Sequence, residues 1–219
     1  MMNYQPKRIT LFAGHYGSGK TNIAVNFALH LAKNGHAVTI ADLDIVNPYF
    51  RTKDSAEELS RANVKLISSA YANSNVDLPA LPAELYALTE DKSRNAVFDV
   101  GGDDRGALAL GRYAPAIKEE DNYEMIFVAN FYRPLTRTAE EALEVMREIE
   151  AAGGIPFTAI VHNSNVGPET RADDVLAKAE EAEKLASLAK LPILFTTADE
   201  AVAEKMENAF PLSLQKKIF

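Results

Sequence analysis

Residues 9–21 read Ile9-Thr10-Leu11-Phe12-Ala13-Gly14-His15-Tyr16-Gly17-Ser18-Gly19-Lys20-Thr21, an apolar strand candidate running into a complete G-x-x-x-x-G-K-[ST] loop. A helical pattern follows at once through Ile23, Phe27, Ala28 and Leu31. Strand, loop and helix in that order are what a phosphate cradle needs. Glycine lets the backbone wrap an anion in conformations that other residues avoid. The helix start adds N–H groups and the positive end of its dipole. Gly14, Gly17, Ser18 and Gly19, with Asn22 just inside the helix, are therefore expected to line a nucleotide site. Lys20 is expected to neutralise the β- and γ-phosphates and to act in catalysis, and the Thr21 hydroxyl to ligate Mg²⁺. The ligand expected from this segment is a nucleoside triphosphate.

Composition narrows the setting. The 219 residues suit a single domain over 1–219, and 47% hydrophobic content supports a substantial core. A formal charge of −8 argues against a surface for broad nucleic-acid binding. With no cysteine, disulfides, thiolate zinc sites and cysteine-ligated clusters are excluded. No apolar run reaches the length of a membrane span, and the first eight residues lack a signal-peptide core. A cytoplasmic location is the simple expectation.

Short apolar runs alternate with longer helical patterns throughout. Strands are predicted at Arg8–Ala13, Ala37–Leu43, Val64–Ile67, Ala96–Val100, Met125–Ala129, Phe157–His162 and Pro192–Phe195. Helices are predicted at Asn22–Asn34, Ala80–Thr89, Thr136–Ala152 and Arg171–Ala189, the third entered at Thr136 or Thr138 and stopped by Gly153-Gly154. Near-continuous apolar strands between helices predict a three-layer α/β fold with a doubly wound, mostly parallel sheet. Ser68–Pro82 and Asn163–Thr170 read as loops.

Ligands of such sheets bind beyond the carboxyl ends of the strands, so those ends carry the functional reading. The second strand ends in Asp42-Leu43-Asp44, two carboxylates on one side of an extended chain. Beside a phosphate loop they are placed near Mg²⁺ and the γ-phosphate, where a carboxylate positions or deprotonates the attacking water. A pair that merely ends a strand and opens a turn is the plainer alternative. The fourth strand ends in Phe98-Asp99-Val100-Gly101-Gly102-Asp103, with Asp99 a Mg²⁺ ligand, direct or through water. Gly102 offers an N–H to the γ-phosphate, and Asp103–Arg112 is expected to respond to it as a mobile element.

On these residues the chain resembles the MinD/ParA/CobQ superfamily of P-loop ATPases, which also holds the nitrogenase iron protein and dethiobiotin synthetase. The resemblance runs from the phosphate loop through Asp42-Leu43-Asp44 and Asp99-Val100-Gly101-Gly102-Asp103 to Val161-His162-Asn163. It implies Asp44 as the catalytic, water-positioning residue that also neighbours the metal, Asp99 as the Walker B carboxylate and Gly102 as the switch II glycine. It also implies that Asn163 binds adenine. Many members carry a signature lysine near the loop's start that reaches across a dimer; here His15 and Tyr16 occupy those positions. His15 is shorter than a lysine, so ATP is expected to leave the oligomeric state largely unchanged.

Three functions compete at this point. One is an Mg²⁺–ATP-dependent switch read by a partner protein; another is an ATP-dependent small-molecule synthetase or kinase; the third is a non-hydrolysing binding module. Lys20, Thr21, Asp44 and Asp99 together speak against the third. ATP is expected over GTP, because His162-Asn163-Ser164-Asn165 lacks the Lys-x-Asp that reads guanine. His15, His30, His36 and His162 are too dispersed for a local metal site. The tail from Phe210 to Phe219 is too short, and its proline comes too early, for a membrane helix.

Overall fold

The computed structural model describes residues 5–43, 52–68, 88–102, 104–206 and 209–213. Its strands are β1 (Ile9–Ala13), β2 (Val38–Asp42), β3 (Lys65–Ser68), β4 (Asn95–Asp99), β5 (Tyr123–Ala129), β6 (Ala159–His162), β7 (Ile193–Asp199) and β8 (Ala209–Leu212). They form one sheet in the order β3-β2-β4-β1-β5-β6-β7-β8, and every pairing is parallel. β1 sits in the middle, flanked by β4 and β5. Its carboxyl end lies where the strand order reverses, the place at which doubly wound sheets take ligands.

Helices cover both faces: α1 (Lys20–Lys33), α2 (Ala56–Arg61), α3 (Asp104–Gly111), α4 (Ala114–Glu120), α5 (Ala139–Gly153), α6 (Ala172–Leu176), α7 (Ala179–Ala189) and α8 (Glu200–Ala203). Alternation along the strands divides the core. Leu11, Phe98, Met125 and Phe127 pack with residues of α3, α4, α5 and α7. Phe12, Ile40, Val97, Ile126 and Val161 pack on the other face with α1 and Leu59 of α2. Because both faces are covered, the central strands are apolar at nearly every position.

The local signals act as read at several boundaries. Thr138 is the N-cap of α5: its side chain accepts from Glu141 N at 3.3 Å, and the Glu141 carboxylate accepts from Thr138 N. Thr136, the other candidate, instead donates its hydroxyl to the Asn130 carbonyl at 2.7 Å. Gly154, in the left-handed region, ends the helix.

The structure departs from or adds to the sequence reading at four places. Arg171–Ala189 is two helices, α6 and α7, separated at Ala177 and Lys178. Residues 104–111 form a helix, α3, and α4 follows it unpredicted. β7 runs on to Asp199, and β8 pairs beyond it through a segment containing Pro211. Phe210 and Leu212 are core residues at 3% and 2% exposure, so the apolar start of the tail is packing surface. Proline is tolerated there because β8 closes the described sheet and pairs on one side only. Of the predicted helix Ala80–Thr89, residues 80–87 lie outside the described residues, as do 69–82 of the predicted loop and 214–219 of the tail; 88–90 are helical. No helix among the described residues is long and apolar enough to cross a membrane.

Candidate functional site

β1 delivers the chain directly into the glycine-rich loop. Ser18 N donates to the His15 carbonyl at 3.0 Å, and Gly17 and Gly19 take φ of +76° and +90°. Gly19 is the N-cap of α1, and a Cβ there would stand 2.3 Å from Asn163 Nδ2, so conformation and space both require glycine. α1 carries no acidic side chain in its first turn. The first N–H groups of an α-helix have no acceptor one turn back and, with the dipole, favour an anion. Lys20 and Ser18 are 2% and 1% exposed. Ser18 Oγ and His15 Nδ1 are buried without a hydrogen-bond partner among the described residues. Buried polar atoms are normally satisfied; orphans inside a cradle are capacity for a ligand, and a phosphate group fits it.

Asp99 closes β4 beside this loop. It is fully buried, and its Oδ2 accepts from the Thr52 hydroxyl at 3.0 Å. Asp42 lies opposite it in the β2–β4 register, and Leu43 N donates to the Asp99 carbonyl at 2.8 Å. Thr52 is a site residue that the sequence did not flag, because nothing local marks it. Three residues beyond Asp99, Gly102 presses on the loop: a Cβ there would be 2.5 Å from the Gly14 carbonyl oxygen and 2.8 Å from Tyr16 N. The segment leading to α3 therefore touches the cradle backbone. Asp44 lies outside the described residues.

Asn163 reaches the loop from the end of β6. Its Nδ2 donates to the Ser18 carbonyl at 2.7 Å, and its Oδ1 accepts from the Thr197 hydroxyl at 2.6 Å. The carboxamide thus braces the cradle against β7 and keeps one N–H and one oxygen lone pair beyond these bonds. Next to it, burial lowers the His162 pKa to about 4, so the imidazole is neutral at pH 7. Its Nε2 has no partner among the described residues, and its ring lies 6.0 Å from Phe131.

A third arm comes from the turn after β5, which the sequence reading passed over. Asn130 is fully buried. Its carbonyl accepts from Arg133 N at 3.1 Å, and its Oδ1 accepts from Tyr132 N at 3.1 Å. From this turn Arg133 Nε donates to the Gly17 carbonyl at 2.8 Å. A polar Asn ending an apolar strand, followed by Arg133-Pro134, was the available signal.

The structure thus gathers Gly14, Gly17, Ser18, Gly19, Lys20, Thr21 and Asn22 in one loop and helix start, with Gly102 and Asn163 against that loop and Asp99 at the neighbouring strand end. Among the described residues no three His, Asp or Glu side chains group to hold a metal. Thr21 and Asp99 are hard oxygen donors suited to Mg²⁺, which is commonly held by one or two protein groups together with substrate phosphates.

Residues 9–169 match the family described as the CobQ/CobB/MinD/ParA nucleotide binding domain. No curated protein matches the chain. Among solved structures, cell division protein FtsY from Thermotoga maritima is similar, with TM-score 0.63, 17% identity, and coverage of 91% of this chain and 67% of that one. Chloroplast FtsY from Physcomitrella patens gives 0.59 and 18%, covering 91% and 61%. Signal recognition particle 54 kDa protein from Aeropyrum pernix K1, solved in complex with GDP, gives 0.55 and 19%, covering 90% and 42%. At such identities the likeness speaks for the fold. The chain spans about three-fifths of the length of similar FtsY structures from Elizabethkingia anophelis, 59%, and Mycoplasma mycoides, 63% and 60%.

Proposed function

Because the chain belongs to the CobQ/CobB/MinD/ParA nucleotide-binding family, we propose that its cradle binds ATP with Mg²⁺, and that hydrolysis there switches a surface read by a partner protein. The observation that carries the switch is Gly102. With no Cβ, its backbone packs on Gly14 and Tyr16, directly ahead of α3. A γ-phosphate entering the cradle meets that contact first, and α3 has to respond.

Each residue has a task in this reading. Lys20 and the first turn of α1 hold the phosphates. Thr21 and Asp99 hold Mg²⁺, which when bound shields phosphate charge. Asp44 orients the attacking water. Asn163 steadies the loop through Ser18 and offers its remaining hydrogen-bonding capacity to adenine. ATP is favoured over GTP because the strand end His162-Asn163-Ser164-Asn165 carries no acid to read guanine.

Amide exchange with Mg²⁺–ATP and with ADP, using Asp44→Ala to keep ATP intact, tests this. Asp44→Ala should bind ATP and hydrolyse it about 10²-fold more slowly, and residues 104–112 should gain protection in ATP over ADP. Equal protection in both states, together with phosphate release stimulated by one metabolite, would replace the switch by a small-molecule synthetase or kinase.

A further inference from the structure

Arg133 stands out as a partly exposed residue whose guanidinium faces no carboxylate among the described residues. Its side chain makes one hydrogen bond, Nε to the Gly17 carbonyl at 2.8 Å. A guanidinium has five N–H donors, so the four on Nη1 and Nη2 have no partner among the described residues. The guanidinium is held by a neutral carbonyl of the anion cradle rather than by an acid.

The turn that carries it is fixed in advance. Asn130 takes the Arg133 N–H on its carbonyl, Thr136 N donates to the Arg133 carbonyl at 3.2 Å, and the Thr136 hydroxyl returns to Asn130. Phe131 N donates to Ser164 Oγ at 3.1 Å, and the Tyr132 hydroxyl to the Asp174 carbonyl at 2.9 Å. The guanidinium is thereby positioned before any ligand arrives, which lowers the ordering cost of using it.

Building on the ATP reading above, we propose that Arg133 is a ligand-contacting residue of this site. Its Nη1 and Nη2 bind the terminal phosphate of a nucleoside triphosphate and discriminate it from a diphosphate, within one chain. Lys20 and the helix start follow the loop directly in the chain, whereas Arg133 comes from the turn after β5 and is anchored on the Gly17 carbonyl. Phosphate oxygens projecting from the cradle are the ligand atoms that its paired N–H fork suits.

The test is calorimetric titration of wild type, Arg133→Ala and Arg133→Lys with a non-hydrolysable ATP analogue and with ADP, each with Mg²⁺. Arg133→Ala should weaken the triphosphate about tenfold and ADP by less than about twofold, in line with loss of a charge-assisted contact. Arg133→Lys, which keeps the charge but not the fork, should fall between. Melting without nucleotide should be unchanged, and triphosphate affinity should depend less steeply on salt in Arg133→Ala than in wild type. Equal weakening of both nucleotides would make Arg133 only a brace for Gly17 and overturn the proposal, as would no change in either. Wild type that binds neither nucleotide would instead sink the ATP reading itself, and this one with it.

Discussion

The two ends of the parallel sheet treat their polar groups in opposite ways. At the amino end Arg8, 9% exposed, bonds the Glu120 carboxylate through Nε and Nη2. It also donates to the carbonyls of Leu88 at 3.0 Å, Thr89 at 3.3 Å, Asp91 at 3.1 Å and Arg94 at 3.3 Å. At the carboxyl end, Ser18 Oγ, His15 Nδ1 and His162 Nε2 are buried without partners among the described residues, and Arg133 has donors to spare. The amino end has its own orphan, Thr10 Oγ1, but that is one atom in a strand interior. A saturated guanidinium joins the start of β1, the end of α4 and the segment before β4 into one scaffold. The unsaturated end keeps hydrogen-bonding capacity that a ligand can complete, at a cost in stability that the scaffold offsets.

The largest effect expected from this contrast is on stability at the amino end. Arg8→Ala would leave Glu120, with a side chain 7% exposed, as an uncompensated buried charge and orphan several carbonyls. It should lower the unfolding free energy by about 3–5 kcal/mol, measured by urea denaturation, while the folded fraction still binds nucleotide. Arg8→Met with Glu120→Leu should recover much of the loss. A single variant as stable as wild type would show that the scaffold does not depend on this pair.

A smaller effect concerns pH, and the two ends should oppose each other. Burial lowers His162 from 6.5 to about 4, so the unfolded chain takes up the proton first and stability falls as pH drops from about 6.5 to 4. Burial raises Glu124, opposite Thr10 near the amino end, from 4.5 to about 7. The folded chain holds that proton longer, so stability falls as pH rises from about 4.5 to 7. In their shared window the slopes largely offset. His162→Gln should make stability fall more steeply with rising pH, and Glu124→Gln should do the reverse, read from urea midpoints between pH 4.5 and 6.5. Identical profiles for both variants would remove these groups from the account.

What was legible in the sequence follows the same division. The loop was readable because phosphate binding fixes residue types at fixed spacing, and the central parallel strands were readable because both of their faces are apolar. β8 was not, since Pro211 disguises an edge strand and its register comes from β7. The break between α6 and α7 was hidden because Ala177 and Lys178 are ordinary helix formers. The contacts that assemble the site were out of reach for a different reason. Thr52 on Asp99, Asn163 on Ser18 and Arg133 on Gly17 join residues 47, 145 and 116 positions apart, and no local pattern encodes such pairs. Arg8 was read simply as the first residue of a strand, although it is the hub of the amino end.

The central claim is that the unsaturated carboxyl end is a triphosphate cradle centred on Lys20. Its most direct test is calorimetric titration of wild type and Lys20→Ala with Mg²⁺–ATP, alongside urea denaturation of both without nucleotide. The account predicts saturable binding by wild type and no measurable binding by Lys20→Ala, with unfolding midpoints that stay close because the Arg8 scaffold is untouched. Unchanged ATP affinity in a folded Lys20→Ala would contradict it.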